Sequence, residues 1–242
     1  MKRKALIMCG GWDGHQPKQV SERFKGFLET EGFDVSVAET VSVLNDKDIL
    51  ADLDLFVPVW TMCSENLPDG HFTPVIEAAA SGMGVAGCHG GMCDSFRNNV
   101  IWQFLTGGNW ISHPGGGGVK YRVNIKSSSN PITEGIGDFD VVSEQYYLHV
   151  DPANEVLATT RFPVERWYHS ANGEVDMPQV WTRKWGHGRV FYNALGHINN
   201  VFDIPQAWEL MKRGMLWAAD GKRIAVENGL SADDFKGGKN NI

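Results

Sequence analysis

The chain has little cysteine, no surplus of basic charge and no long apolar run, and each lack removes a class of protein. Four cysteines, Cys9, Cys63, Cys88 and Cys93, occur in 242 residues, and none forms a Cys-x-x-Cys pair. That is no disulfide scaffold, so reduced thiols and a cytoplasmic location are expected. Lysine and arginine total 22 against 29 acidic residues, a net charge of −7. Without a basic block, neither nucleic acid nor an anionic membrane surface is the expected partner. No apolar run approaches the roughly 20 residues of a membrane helix. The apolar run 5–9 is shorter than the roughly 7–15 residues of a signal-peptide core. The glycine-rich stretch Gly10–Gly14 is not Gly-x-Gly-x-x-Gly, and the phosphate loop ending Gly-Lys-Ser/Thr is missing from the chain, so no nucleotide site is read. His-Glu-x-x-His is missing too, which leaves the local signal for a metal weak.

What the chain does have is 28 glycines, 9 tryptophans and 8 histidines, gathered where strands should end. The pattern predicts strands over residues 4–9, 34–38, 53–60 and 84–88. Helical segments are expected from Pro17 to Gly32, over 46–51 and 72–81, and from about Met92 to Leu105. Strand–helix alternation implies parallel strands joined by right-handed crossovers. The second half reads differently. Strands over 119–125, 140–150, 155–160, 179–185 and 189–194 follow one another without helices, as an antiparallel extension. An amphipathic helix over 204–219 closes the fold. One α/β domain over 1–229 with a loose polar tail over 230–242 is the simplest organisation.

Ligands of an open parallel sheet bind at the carboxyl ends of its strands. Three such ends are marked: Gly10-Gly11-Trp12-Asp13-Gly14-His15, Trp60-Thr61-Met62-Cys63 and Gly87-Cys88-His89-Gly90-Gly91. The third, Gly-x-His-x-Gly between a strand and a helix, has the pattern of a nucleophile elbow with histidine at its centre. Cys88 should face the core. His89, Glu144 and His197 can supply acid and base functions near neutral pH. Glu144 and Tyr146 are expected on one face of a strand. Arg183 can grip a substrate oxygen or pair on the sheet face, and His187 is a turn histidine or a binding one. Trp12, Trp60, Trp110 and Tyr146 suit stacking on sugar rings or an aromatic core equally well.

The elbow together with Pro178-x-x-Trp181, the run Gly186-x-Gly188-Arg189-Val190-Phe191-Tyr192 and Gly196-His197 resembles the ThuA family, named for trehalose utilisation. Glu144-x-Tyr146 is similar to that family's acidic-x-Tyr signature, and His113 matches a family position after the elbow helix. The resemblance implies a flavodoxin-like α/β fold of the class I glutamine-amidotransferase type, with a mostly parallel sheet flanked by helices. It implies a role in catabolism of trehalose or a related disaccharide, on an oxidised (keto) sugar, alongside an NAD-dependent sugar oxidoreductase. Amidotransferase chemistry itself is disfavoured, because His89 stands where the thiolate would be.

The expected catalytic residues are therefore His89, Glu144 and His197. Trp12, Asp13, His15, Trp60, His113, Tyr146, Arg183 and His187 are the expected substrate contacts. A divalent metal such as zinc, held by His15, His89, Glu144 and His197, is the candidate cofactor, and a homo-oligomer is admitted. The rival readings are a non-catalytic sugar-binding or regulatory protein and a hydrolase with a different nucleophile.

Overall fold

A computed structural model describes residues 2–63, 65–126 and 129–237. In chain order the first half runs β1 (Lys4–Gly11), α1 (Pro17–Thr30), β2 (Asp34–Ala38), α2 (Lys47–Ala51), β3 (Leu55–Thr61), α3 (Thr73–Ala80), β4 (Gly84–Cys88), α4 (His89–Cys93) and α5 (Val100–Thr106). The second half adds β5 (Gly108–Ser112), β6 (Val119–Ile125), β7 (Phe139–Ser143), β8 (Tyr147–Val150), β9 (Glu155–Phe162), β10 (Val175–Trp185), β11 (Gly188–Asn193) and α6 (Pro205–Glu227).

The main sheet has the order β2-β1-β3-β4-β11-β10-β9-β6-β7. The strands β2, β1, β3, β4 and β11 are mutually parallel, and β10, β9, β6 and β7 extend them antiparallel. This is the expected flavodoxin-like α/β architecture with an antiparallel extension. Strand order reverses at β1, which places a ligand crevice above the carboxyl ends of β1 and β3. Alternate residues of β1 enter opposite cores, Ala5 and Ile7 with α1 and α6, Leu6 and Met8 with α2 and α3. Among the described residues no helix is long and apolar enough to cross a membrane.

Four expectations change. The helix read from Met92 to Leu105 is two helices. The chain unwinds at Asp94, and the Asn99 side chain restarts it by accepting from the Trp102 N–H at 2.8 Å. The strand read over 140–150 breaks at residues 144–146. There the chain leaves the main sheet and enters a small β5–β8 ribbon. Strand β5 was not anticipated. The tail is not wholly loose: Ala232–Phe235 form a 3-10 turn, with the Ala232 N–H donating to Ser81 Oγ at 3.1 Å. Residues 238–242 lie outside the described residues.

The long helix α6 seats against β4 and β11 through glycines. A Cβ at Gly84 would fall 2.3 Å from the Ala218 carbonyl oxygen, a backbone atom of a 23-residue helix. Neither element can move cheaply, so Gly84→Ala is expected to lower stability by about 1–3 kcal/mol. That corresponds to a melting midpoint lower by about 2–12 °C at this chain length. An unchanged midpoint in a thermal scan would show that the contact yields.

Candidate functional site

Four of the five parallel strands, β1, β3, β4 and β11, end by delivering a polar group to the same point. After β1 the chain makes a 3-10 turn over Asp13–His15, and His15 is buried at its end. Thr61, the last residue of β3, meets His15 Nδ1 through Oγ1 at 2.9 Å. His89 directly follows β4 with a backbone φ of +45°, one of the few non-glycine residues in the left-handed region. Such a residue costs roughly 1–3 kcal/mol and persists where its surroundings hold it. His197 follows β11 after Gly196, whose φ of +110° suits glycine. Glu144 reaches the same point from the connection between β7 and β8.

The backbone around Glu144 is clamped. Tyr121 donates its hydroxyl to the Glu144 carbonyl at 3.0 Å. The Gln179 amide donates to the Tyr146 carbonyl at 3.2 Å, and Gln145 donates to Thr160 at 2.8 Å. Glu144 and Tyr146 are thus held as an irregular segment rather than as part of a strand.

One carboxylate oxygen faces three imidazoles. Glu144 Oε2 lies 3.0 Å from His89 Nε2, 3.3 Å from His197 Nδ1 and 3.8 Å from His15 Nε2. These four ligand atoms all lie within 4.8 Å of one another. The other oxygen, Oε1, faces His113 Nε2 at 3.5 Å. The Tyr146 ring stacks on His89 with centroids 3.8 Å apart.

The protons leave one contact of this arrangement unsatisfied. His89 Nδ1 lies 2.8 Å from the Ala194 carbonyl, which only accepts, so Nδ1 carries the proton. Burial holds His89 neutral, with its pKa lowered to about 4 against the opposing pull of Glu144. Its Nε2 then presents a lone pair to Glu144. Burial would raise the Glu144 carboxyl, but the imidazoles of His15 and His197 outweigh it and hold the group below the usual carboxylate range. His197 Nδ1 is buried, and among the described residues its one close polar neighbour across the cluster is Glu144 Oε2 at 3.3 Å. A His89 Nε2 lone pair set against an ionised carboxylate is an arrangement that a cation relieves. Tetrahedral bonds of about 2.0–2.1 Å would set ligand atoms about 3.3 Å apart. The outer contacts fit as well, because ligating histidines usually spend their second nitrogen on a fixed partner. His15 has Thr61 in that role and His89 has Ala194. The residues present fit a divalent metal.

A family model described as ThuA, trehalose utilisation, matches residues 4–218. The chain belongs to the ThuA family. Comparison with curated proteins finds no match. A solved structure described as ThuA-like, from Parabacteroides merdae, is 20% identical with a TM-score of 0.68, covering 92% of this chain and 91% of its own. One from Bacteroides uniformis, also described as ThuA-like, is 18% identical with a TM-score of 0.68, covering 90% and 91%. A protein of Salmonella typhimurium described as cytoplasmic is 14% identical with a TM-score of 0.57, covering 91% and 99%. At these identities the structures speak for the fold alone.

In this ThuA-family chain the structure gathers His15, His89, Glu144, His197, His113 and Tyr146. Trp12 is exposed at the rim, its ring 4.9 Å from that of His15. Trp110 joins through its indole N–H, which donates to His113 Nδ1 at 3.2 Å. Five of the expected site residues are placed otherwise than in a shared open cleft. His89 does not face an open cleft, being only 1% exposed. Trp60 lies over Gly10 and packs into the core beside β3. Arg183 pairs with Asp151 at 3.0 Å, and His187 pairs with Asp234 of the tail at 2.8 Å. Both sit towards the Trp185–Gly188 end of the β10–β11 hairpin, whereas the site lies beyond Asn193 at the other end. Asp13 is exposed and its carboxyl is not part of the cluster. Cys88 faces the core as expected, and burial pushes its thiol up to about 12, so it supplies no thiolate.

Thr61 belongs to the marked end after β3 without being singled out there, and Tyr121 and Gln179 are additions from the structure. Of these two, Tyr121 has a signal in the sequence, the apolar alternation over residues 119–125. Gly90 also serves the cluster, because a Cβ there would lie 2.7 Å from the His15 ring. Gly90→Ala is expected to tilt that imidazole and weaken zinc binding by about 10–100-fold, the size of an orientation effect. Zinc titration with a competing chelator measures it, and wild-type affinity in the variant would show that the His15 ring does not contribute.

Proposed function

We propose that this protein performs a metal-assisted acid–base conversion of an oxidised (keto) sugar derived from trehalose or a related disaccharide. The observation that carries the reading is the convergence of three imidazole nitrogens on Glu144 Oε2 with no proton to satisfy His89 Nε2. The substrate class follows the family description, trehalose utilisation. An NAD-dependent sugar oxidoreductase would supply the keto sugar.

In this reading His15, His89, His197 and Glu144 hold a divalent cation. When bound, such an ion polarises a carbonyl oxygen or makes water acidic. The remaining residues handle substrate and protons. His89 keeps its proton on Nδ1 against Ala194 and is too buried to reach a sugar. Proton transfer therefore moves from the ligand histidines to His113. Its Nδ1 accepts from Trp110, so its proton sits on Nε2 beside Glu144 Oε1, with the side chain 37% exposed at the mouth. The Tyr146 hydroxyl stays protonated, its pKa raised by burial and then by Asp94 and Glu144, and remains a donor. Trp12 covers the rim.

Metal content and turnover test this together. The protein should bind zinc and convert trehalose oxidised to a keto sugar on one ring, losing turnover on chelation. Sugar affinity without turnover would assign a binding role instead, and turnover in fully metal-free protein would remove the metal from the mechanism.

A further inference from the structure

Next along the chain from Thr61, which meets His15, Met62 opens a hollow of about 850 Å³, within the roughly 300–1,000 Å³ of small-molecule sites. One wall is formed after β3 by Met62, Cys63 and residues 65–69, and the other is the turn between α4 and α5. The two walls are tied by backbone bonds, Met62 N–H to the Asp94 carbonyl at 3.1 Å and Cys63 N–H to the Ser95 carbonyl at 2.8 Å. The hollow is therefore already shaped.

Arg97 connects it to the cluster. Asp94, buried at the start of the turn, takes Arg97 Nε and Nη2 with its two oxygens. The guanidinium also lies 4.2 Å over the Trp110 ring. Trp110 in turn holds His113, which faces Glu144. Arg97 is thus pre-organised, and its remaining Nη1 is committed to no partner in the Asp94 fork.

The chemistry of the walls selects the occupant. Arg97 is balanced by Asp94, and Glu65 and Asp69 add further negative charge. An anionic group would be repelled. Asn66 and Asn98 supply uncharged donors and acceptors, and Leu67 gives an apolar surface. That mixture suits a neutral polyhydroxylated ring.

We propose that this hollow is the subsite for the second, unoxidised ring of a disaccharide, anchored by Arg97. The proposal rests on the keto-sugar reading above and adds the size of the substrate to it. Two probes separate them: trehalose oxidised to a keto sugar on one ring, and glucose oxidised at the same ring position. Wild-type protein should prefer the disaccharide in kcat/KM. Asn98→Trp, at an exposed position, should fill the hollow and raise the disaccharide KM about tenfold or more, so that the preference collapses. Arg97→Lys keeps the charge but loses the fork and should raise that KM about tenfold, with zinc content unchanged in both variants. An undiminished preference in Asn98→Trp would overturn the subsite, and a wild-type KM in Arg97→Lys would overturn the anchor. If wild-type protein binds zinc but neither probe, the keto-sugar reading fails and the subsite falls with it. If it converts both probes equally well, the keto-sugar reading stands and the subsite alone is lost.

Discussion

Glu144→Gln is expected to lower turnover of a keto sugar by about 10²–10⁴-fold, the size of a lost acid–base or charge contribution. Zinc affinity should fall by more than the roughly 100-fold that follows loss of an outer-shell partner. The reason is geometric. Oε2 is the one atom that meets His15, His89 and His197 at 3.0–3.8 Å, and an amide there removes the negative charge that draws a cation among the imidazoles. The backbone of residue 144 is held independently through its carbonyl by Tyr121, so the fold should persist. Equilibrium zinc titration and steady-state kinetics on the same preparation measure both effects. A variant with wild-type zinc affinity and turnover would remove Glu144 from the site.

The second large effect is on stability. A ligand that binds only the folded state stabilises it by about 4 kcal/mol at a free concentration of about 1,000 times Kd. For a chain of this length that raises the melting midpoint by roughly 8–16 °C. The ion would stitch together the ends of β1, β4 and β11 and the crossing segment at Glu144, which are far apart in sequence. Thermal scans with saturating zinc and with a chelator should differ by that amount in wild-type protein, and by little in His15→Asn. Equal midpoints in wild-type protein would mean that the cluster holds no ion.

Much of the parallel half was legible because its signals are local. The residues around Gly87, His89 and Gly91 announce a sharp strand-to-helix turn, and the structure puts His89 there at a φ of +45°. His15 and His197 were placed correctly at strand ends, since a parallel sheet sends every such end to one side. In the antiparallel half, residue spacing leaves the places of Arg183 and His187 undecided. A hairpin brings one of its ends to the site and sends the other away, and residue spacing does not say which. Arg183 and His187 lie at the far end, and there they serve an ion pair with Asp151 and the docking of the tail through Asp234. Residues 140–150 keep an apolar alternation across a break, because the strands on either side belong to different sheets. The tie between His89 and the Ala194 carbonyl left no trace in the sequence, since every residue type offers a carbonyl. Yet that bond decides which nitrogen of His89 is free, and with it whether the residue moves protons or holds a metal.

Anomalous diffraction at the zinc edge, from crystals of the wild-type protein grown with zinc, tests the central claim most directly. The account predicts one strong peak per chain among His15 Nε2, His89 Nε2, Glu144 Oε2 and His197 Nδ1, at about 2.0–2.2 Å from each ligand atom. No peak at that position in protein that still converts the keto sugar would contradict it.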